Sequence, residues 1–207
     1  MPDLDRRFFD RHFLTVAREL VGCTLLWKGC GGRIVEVEAY AVDGDAACHT
    51  ATRRSSRLFY EQNPPGTAYV YLNYGIHWML NVLARDGILL IRALEPLHGI
   101  PEMQARRRQE KLRALCSGPG KLGQALGFTG QDHGTDLTDG VFRSGGPAEI
   151  VTDQRIGITK AVEFPWRFLE AGSPWVSVPP SPASALLTLK GKDGPRMARI
   201  KRISTDL

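Results

Sequence analysis

"GTAYVYLNYGIHWMLNV", residues 66–82, is the stretch that decides the fold expected for this chain. Its residues predict a β-hairpin with strands at 67–73 and 76–84. Tyr69 and Tyr71 alternate along the first strand, and the chain turns at Tyr74 and Gly75. Asn or Asp usually occupies such a turn. A large aromatic side chain at this place indicates that Tyr74 fills a gap in another molecule.

The segments on either side of the hairpin predict further strands. CTLLWK (residues 23–28) and RIVEVEAY (residues 33–40) predict two strands joined by a glycine-rich turn. ILLIRAL (residues 88–94) predicts a strand directly after the hairpin. RIGIT (residues 155–159) and RFLEAGSPWVSV (residues 167–178) predict the strands that complete the sheet.

Helices are predicted from their terminal residues. The first covers residues 10–21 with Asp10 as its cap, the second begins at Pro101, and Ser117 caps the third. Residues 41–66 predict a long loop with short helical pieces. A loop of that length in a compact domain is typically functional or disordered.

Length and composition predict one domain with a core of its own. The chain has 207 residues, of which 43% are hydrophobic, and no internal repeat. A net charge of +5 suits a polyanionic partner. The N-terminus lacks the apolar segment of a signal peptide, and no stretch approaches the roughly 20 apolar residues of a membrane span. We therefore expect a protein that is neither secreted nor membrane-bound, in the cytoplasm or, in a eukaryote, the nucleus.

The end of the chain differs in composition from the rest. Pro and Ser become frequent from residue 179, and LKGKDGPRMARIKRISTDL then carries six Lys or Arg and two Asp. This pattern predicts a folded domain at residues 1–178 and a flexible basic tail at residues 179–207.

The four cysteines do not predict a metal site. Cys23, Cys30, Cys48 and Cys116 are scattered and form no C-x-x-C pair. This spacing is typical of reduced thiols rather than of a disulfide framework or a zinc site. We expect no metal and no cofactor.

RIVEVEAY places two carboxylates on one face of a strand. The two-residue period puts Glu36, Glu38 and Tyr40 on the same side. Glu36 is interpreted as part of an ordinary half-exposed strand. Paired glycosidase carboxylates must flank the scissile bond from two sides, which residues at i and i+2 of one strand do not do. One glutamate that acts alone on water is the simpler hypothesis.

Arg92 interrupts an apolar run that should be buried. A buried guanidinium requires an anion or a set of acceptors. The spacing leaves two partners open. Glu95 would make Arg92 structural, whereas a glutamate from a neighbouring strand would be held ionised and could take a proton from water.

The N-terminus of the third predicted helix is a candidate anion site. SGPGK resembles a phosphate loop but lacks the full G-x-x-x-x-G-K-[ST] pattern, so a nucleoside triphosphate site is not expected. Lys121 in the first turn of that helix could still bind a single backbone phosphate. The arginines at 106–108 are interpreted as a solvated helix face.

Several motifs in a fixed order resemble a known family. They are EVEAY (36–40), DAACH (45–49), GTAYVYLNYG (66–75) with the following Asn81, LLIRALEP (89–96), CSGPGKL (116–122), RIGI (155–158) and GSPWVSV (172–178). From about residue 6 to residue 178 the chain closely resembles the alkyladenine DNA glycosylases, the 3-methyladenine DNA glycosylases of the mammalian type.

The resemblance implies an α+β fold and a reaction. The fold would be a single mixed domain with a curved, mainly antiparallel sheet, surrounding helices and a protruding β-hairpin that enters the DNA minor groove. The protein would flip a damaged purine out of duplex DNA, such as 3-methyladenine or 7-methylguanine, with hypoxanthine and ethenoadenine as further candidates. Hydrolysis of the N-glycosidic bond would leave an abasic site. We expect a monomer that binds duplex DNA.

The resemblance also implies roles for individual residues. Glu38 would activate the water, which Arg92 and the main-chain carbonyl of Ile156 would help to hold. The remaining roles concern the base pocket and the DNA: Tyr40, His49 and Tyr71 line the pocket, Asn81 excludes guanine by crowding its 2-amino group, Tyr74 and Gly75 enter the duplex, and Lys121 contacts the backbone.

Two departures from the family pattern and two rival functions remain. His77 and Trp78 follow the hairpin tip where other residues are expected, and TKAVEFPWRF (159–168) is less basic than expected. The first rival is a non-catalytic nucleic-acid-binding module, which would prefer single strands. The second is a nucleosidase that acts on free nucleosides, which would not need Tyr74 or the basic tail.

Overall fold

The tyrosine-rich hairpin forms one edge of a nine-stranded sheet in the computed structural model, which describes residues 2–182 and 184–187. The strands are β1 (Thr24–Trp27), β2 (Cys30–Ala41), β3 (Ala68–Asn73), β4 (His77–Ala84), β5 (Gly87–His98), β6 (Phe142–Arg143), β7 (Ile150–Asp153), β8 (Arg167–Glu170) and β9 (Ala185–Leu187). Their order is β3-β4-β5-β2-β8-β7-β9, while β1 pairs with β2 and β6. Each of these pairings is antiparallel.

Six α-helices accompany the sheet in the described part of the chain. They are α1 (Arg6–Phe9), α2 (Phe13–Leu20), α3 (His49–Thr52), α4 (Arg54–Gln62), α5 (Ile100–Arg107) and α6 (Pro119–Leu126). Short 3₁₀ turns lie at Leu112–Ala114 and Gly130–Asp132. The predictions of a mixed α and β fold with an antiparallel sheet, and of the hairpin at 67–84, are confirmed.

The prediction of one helix over residues 10–21 is wrong in its start. The chain forms two helices here, and Asp10 caps neither N-terminus: Asp5 caps α1 and His12 precedes α2. The break arises because Phe13 N–H donates to the carbonyl of Arg85 (3.0 Å), which holds the chain against the strand edge. Asp10 instead accepts a hydrogen bond from Arg85 Nε at 3.1 Å.

The cap predicted for α6 is also wrong by one residue. Gly118, at φ 143°, is the N-cap, and Ser117 still lies in extended chain bridged to Ala93 of β5. Pro119 begins the helix and Gly127 ends it, as the sequence predicts. A close approach explains a second glycine of this helix, since a Cβ on Gly123 would collide with the carbonyl oxygen of Trp78.

RIGIT does not form a strand, contrary to the prediction. Strand β8 pairs with β2 and β7, and β7 ends before this segment. The side chain of Arg155 points into the interior, where it pairs with Asp45, and Gly157 turns the chain at φ 75°. RFLEAGSPWVSV forms a strand only over β8, and the rest of it is a loop that returns to β2.

The sheet has an apolar cluster on each face. One face packs against α1, α2, α5 and α6 and holds the main core, which includes Phe9, Phe13 and Leu122. A smaller cluster on the other face lies under α3 and α4 and includes Tyr69 and Leu83. None of the helices within 2–182 has both the length and the apolar composition that a bilayer span requires.

Part of the segment assigned to the tail has regular structure. Strand β9 pairs with β7, and Ser181 donates two hydrogen bonds to Asp153, from its N–H (2.7 Å) and from its Oγ (2.8 Å). Both features lie beyond residue 178. The remainder of the predicted flexible tail, residues 188–207, lies outside the described residues.

Candidate active site

A cavity of about 440 Å³ opens beside the hairpin. The β3–β4 hairpin, the loop before α3, the first residue of α6 and residues 156–160 form its walls. The predicted site residues that line it are Tyr40, His49, Tyr71, Tyr74, Asn81, Arg92 and Ile156. Folding thus brings these residues, which are up to 116 positions apart from 40 to 156, around one space.

Glu38 is fully buried directly behind this wall. Its Oε2 accepts hydrogen bonds from Tyr40 Oη (2.8 Å) and Arg92 Nη1 (3.1 Å). Its Oε1 accepts one from the main-chain N–H of Ile156 (2.6 Å). All three donors line the cavity. A carboxylate accepts about four hydrogen bonds, so Oε1 retains one lone pair for a further donor.

The partners of Arg92 differ from Glu95, the structural partner that the spacing in the sequence allowed. Its Nε donates to Glu36 Oε1 (3.0 Å), its Nη1 to Glu38 and its Nη2 to Ser177 Oγ (3.3 Å), so Glu95 is not its ion-pair partner. Burial by itself would lower the pKa of Arg92, but the charges of Glu38 and Glu36 outweigh it and raise that pKa above its ordinary value. Arg92 therefore stays cationic beside the cavity.

The interpretation of Glu36 as a half-exposed strand residue is wrong. Its side chain is 0% exposed because β8 and the loop at Ser177 cover it. It accepts hydrogen bonds from Arg92, from Arg167 Nη1 (3.1 Å) and from both the N–H (2.6 Å) and the Oγ (2.8 Å) of Ser177. The alternation in RIVEVEAY predicts correctly the face of the strand on which Glu36 lies. It does not predict the burial of Glu36, because the elements that cover this side chain are more than 130 residues away in sequence.

Sequence reasoning missed a buried ion pair that supports Tyr40 and Ile156. Arg155 Nη2 donates to Asp45 Oδ1 at 3.0 Å, and both side chains are 0% exposed. The guanidinium carbon of Arg155 lies 4.6 Å from the centre of the Tyr40 ring, so it also stacks on the cavity wall. The signals were the Asp in DAACH and the Arg in RIGI, two motifs that lie far apart in sequence.

The aromatic part of the wall is electrically neutral. His49 lies 4.5 Å from Tyr71 between ring centres, and His49 Nδ1 is 3.0 Å from the hydroxyl of Tyr69. Burial, helped by the charge of Arg53, lowers the pKa of His49 to about 4. Burial, helped by Tyr69, raises the pKa of Tyr71 to about 12. Burial and the adjacent Glu38 charge also raise the pKa of Tyr40, so its phenol remains a donor.

Asn81 lines the cavity with an amide whose orientation is fixed by hydrogen bonds. Its Nδ2 donates to the main-chain carbonyl of Tyr69 (2.9 Å) and approaches that of Met79 (3.4 Å). Both partners are acceptors, so the nitrogen and oxygen ends of the amide are assigned by their surroundings. The side chain is buried in the middle of β4 and lines the cavity.

The hairpin tip projects into solvent. Tyr74 (φ 51°) and Gly75 (φ 71°) both have positive φ, and Ile76 N–H donates to the carbonyl of Asn73 (3.1 Å), as in a type I′ turn. Tyr74 is 86% exposed and Ile76 is 70% exposed. Tyr74 therefore contributes nothing to the core, although the turn would favour a smaller polar residue.

The remaining predicted DNA contact and the two unusual residues lie around α6. Lys121 is exposed and does not line the cavity, and its Nζ is 3.5 Å from Ser117 Oγ. His77 is exposed at the start of β4 and lies close to Gly120, whereas Trp78 is half-buried and packs against the core. Trp78 is thus mainly a packing residue, and His77 is the more exposed of the two.

Comparison with known proteins gives a consistent family. A model of the methylpurine-DNA glycosylases matches residues 7–174. A protein of Rhodopseudomonas palustris (strain HaA2) is 50% identical over 185 residues, which cover 86% of this chain and 92% of the relative. Proteins of Nitrobacter winogradskyi and Rhizobium meliloti are 47% and 46% identical, over 85% and 84% of this chain and 88% and 95% of the relatives. All three relatives carry the name "Putative 3-methyladenine DNA glycosylase".

Proposed function

Because the chain belongs to the methylpurine-DNA glycosylase family and is a DNA glycosylase of DNA repair, we propose that it removes alkylated purines from duplex DNA by means of a water molecule activated by Glu38. The observation that carries the proposal is the setting of Glu38, a buried carboxylate with three donors that all line one cavity. The substrates include 3-methyladenine and 7-methylguanine. Hypoxanthine and ethenoadenine are further candidates.

The reaction needs one base and one water. The oxygen of water bonds to C1′ of the deoxyribose while the C1′–N bond breaks and its electron pair leaves with the purine. A proton of the water passes to the free lone pair on Glu38 Oε1. Arg92 and the main-chain carbonyl of Ile156 hold the water. The product is an abasic site in an intact strand.

The cavity wall favours a cationic purine. 3-Methyladenine and 7-methylguanine carry positive charge, which the faces of aromatic rings attract. Tyr40 and Tyr71 stack on the flipped base, and His49 adds no opposing charge because its lowered pKa keeps it neutral at pH 7. The amide of Asn81 crowds the 2-amino group of normal guanine and so excludes it.

The hairpin tip offsets the cost of removing a base from the stack. Unstacking a base costs a few kcal/mol, and an aromatic wedge recovers part of that by occupying the space. Tyr74 enters the duplex from the minor groove, Gly75 permits the tight turn behind it, and Lys121 contacts a backbone phosphate. The protein acts as a monomer, in the bacterial cytoplasm where the chromosome lies.

A lesion series tests the proposal against its rivals. The protein is incubated with duplexes that each carry one defined damaged purine, and abasic sites are then cleaved with alkali. Strand breaks that appear only after alkali, and only in damaged duplexes, are the expected result. Tight binding to single strands without excision would favour a binding module. Hydrolysis of free nucleosides but of no duplex would favour a nucleosidase.

A further inference from the structure

Five buried charged side chains form a continuous row that begins at Glu38. Arg92 bridges Glu38 and Glu36, and Arg167 continues the row by bridging Glu36 (3.1 Å) and Asp153 (2.7 Å). None of the five side chains is more than 8% exposed. The signs alternate along the row, so each ion has an opposite neighbour, which a buried ion requires.

Glu36 accepts four hydrogen bonds and does not line the cavity, so it takes no direct part in the proposed reaction. Its Oε1 accepts from Arg92 Nε, Arg167 Nη1 and Ser177 Oγ, and its Oε2 accepts from the N–H of Ser177. Of these donors only Arg92 lines the cavity. Glu36 can therefore influence a substrate only through Arg92.

The position of Arg92 depends on Glu36 for a geometric reason. A guanidinium is planar and rigid, so holding Nε against Glu36 also fixes the direction of Nη1 toward Glu38. The strands deviate from regular pairing at this point, since the register between β2 and β5 skips Val35 and Arg92. Such irregularities redirect side chains and often lie next to active sites.

Because Arg92 binds both Glu36 and Glu38, its positive charge is shared between the two carboxylates. If Glu36 were neutral, Glu38 would lose a neighbouring negative charge and would have the guanidinium to itself. Both changes favour the ionised form of Glu38 and make it a weaker acceptor of the proton of water.

We propose that Glu36 is a positioning residue for the reaction. Glu36 holds Arg92 between two carboxylates, and so it sets both the direction of the guanidinium and the readiness of Glu38 to accept a proton. The inference rests on the proposed function of Glu38. Within the described residues, the charged groups that contact Glu36 are Arg92 from β5 and Arg167 from β8, and the titratable or charged groups that contact Glu38 are Arg92 and the phenol of Tyr40. Asp153 of β7 lies behind Arg167.

The test compares two buried carboxylates of the same row. Glu36→Gln and Asp153→Asn each remove one negative charge, but only Glu36 contacts Arg92. In the full-length protein, NMR follows two signals: the Nε–H of Arg92, and the pH dependence of the Ile156 amide, which reports protonation of Glu38. Single-turnover excision on a lesion duplex is measured across pH.

The expected result separates the two variants. Glu36→Gln moves the Arg92 signal, shifts the midpoint of the Ile156 amide and the acidic limb of the rate profile to lower pH, and slows excision about tenfold at neutral pH. Asp153→Asn lowers stability but leaves the midpoint of the Ile156 amide and the acidic limb of the rate profile unchanged. Parent-like signals in Glu36→Gln, or an equal shift in Asp153→Asn, would overturn the inference.

A shortened carboxylate gives a second route if Glu36→Gln does not fold. Glu36→Asp keeps the charge and loses reach, so the Arg92 signal should move and the rate should fall while the Ile156 midpoint stays. An unchanged Arg92 signal and rate would contradict a positioning role. Both signals are read on the free protein. A parent that excises no damaged purine therefore contradicts the proposed function, whereas unchanged signals contradict this inference.

Discussion

The main-chain N–H of Ile156 donates a 2.6 Å hydrogen bond to Oε1 of Glu38, which joins a loop and a strand 118 residues apart. The same oxygen keeps one lone pair for a further donor, which is water in the proposed reaction. The loop at Ile156 therefore fixes one oxygen of the Glu38 carboxylate, and Arg92 and Tyr40 fix the other. The geometry of Glu38 depends on three separate elements of the fold.

Replacing Glu38 should abolish most of the chemistry. Glu38→Gln removes the proton acceptor, so single-turnover excision should fall at least about a hundredfold, the usual scale for loss of a general base, while lesion-duplex binding is kept. Glu102→Gln, on the exposed side of α5, is the control and should behave as the parent. Near-parental excision by Glu38→Gln would contradict the assignment.

Breaking the Asp45–Arg155 pair should destabilise the fold strongly. Asp45→Ala leaves a guanidinium buried without its anion, which costs about 3–5 kcal/mol of unfolding free energy. The exposed pair Arg57–Asp43, at 2.8 Å with Asp43 85% exposed, supplies a matched comparison. Asp43→Ala should cost less than about 1 kcal/mol. Denaturant unfolding measures both, and equal losses would show that burial of the pair is not the cause.

Replacing Tyr74 should separate stability from binding. Tyr74→Asn puts a residue suited to positive φ at the turn, so thermal stability should be unchanged or slightly higher. Binding to lesion duplex should weaken by about 1–3 kcal/mol, the range for a lost stacking contact with a base. A single-stranded lesion, which needs no wedge, is the control substrate. A large drop in melting temperature with unchanged affinity would instead make Tyr74 structural.

Acid should destabilise the protein through His49. Its pKa is lowered from 6.5 to about 4 by burial and by Arg53. Between these values the unfolded chain binds a proton that the folded chain does not, so stability falls as the pH drops through this window and recovers above it. Denaturant unfolding of the parent and of His49→Gln at several pH values measures the effect. The variant should show a flatter profile from pH 6.5 to 4, and parallel profiles would sink the idea.

Two truncations should have different consequences. Residues 188–207 carry six Lys or Arg and two Asp, so their deletion should weaken binding to undamaged duplex, reduce its dependence on salt, and spare excision. Deletion of residues 180–207 also removes β9 and the two hydrogen bonds from Ser181 to Asp153, and should lower the melting temperature. Equal melting temperatures of the two truncations would contradict a structural role for residues 180–187.

Local patterns predict the frame of this molecule well. Alternation in RIVEVEAY and in the tyrosine hairpin identifies strands and the sides of Glu38 and Tyr71, because a strand has a fixed period. The burial of Glu36 and the inward direction of the Arg155 side chain could not be predicted from such patterns. Each depends on a segment more than 100 residues away that covers the side chain or supplies its counter-ion. The burial and pairing of an interior charge depend on residues that are distant in sequence, and a local sequence pattern carries no information about those residues.

The register between β2 and β5 also limits which insertions and deletions the gene can tolerate. Glu38 faces Leu90 and Tyr40 faces Ile88 across the two strands. Gaining one codon between residues 37 and 38, or losing the codon of Val37, would turn the following side chains to the opposite face of the sheet. Carboxylate and phenol would then enter the apolar core, and Ala39 would face the cavity. Length variation among descendants of this gene should therefore accumulate in its loops and be purged from this strand.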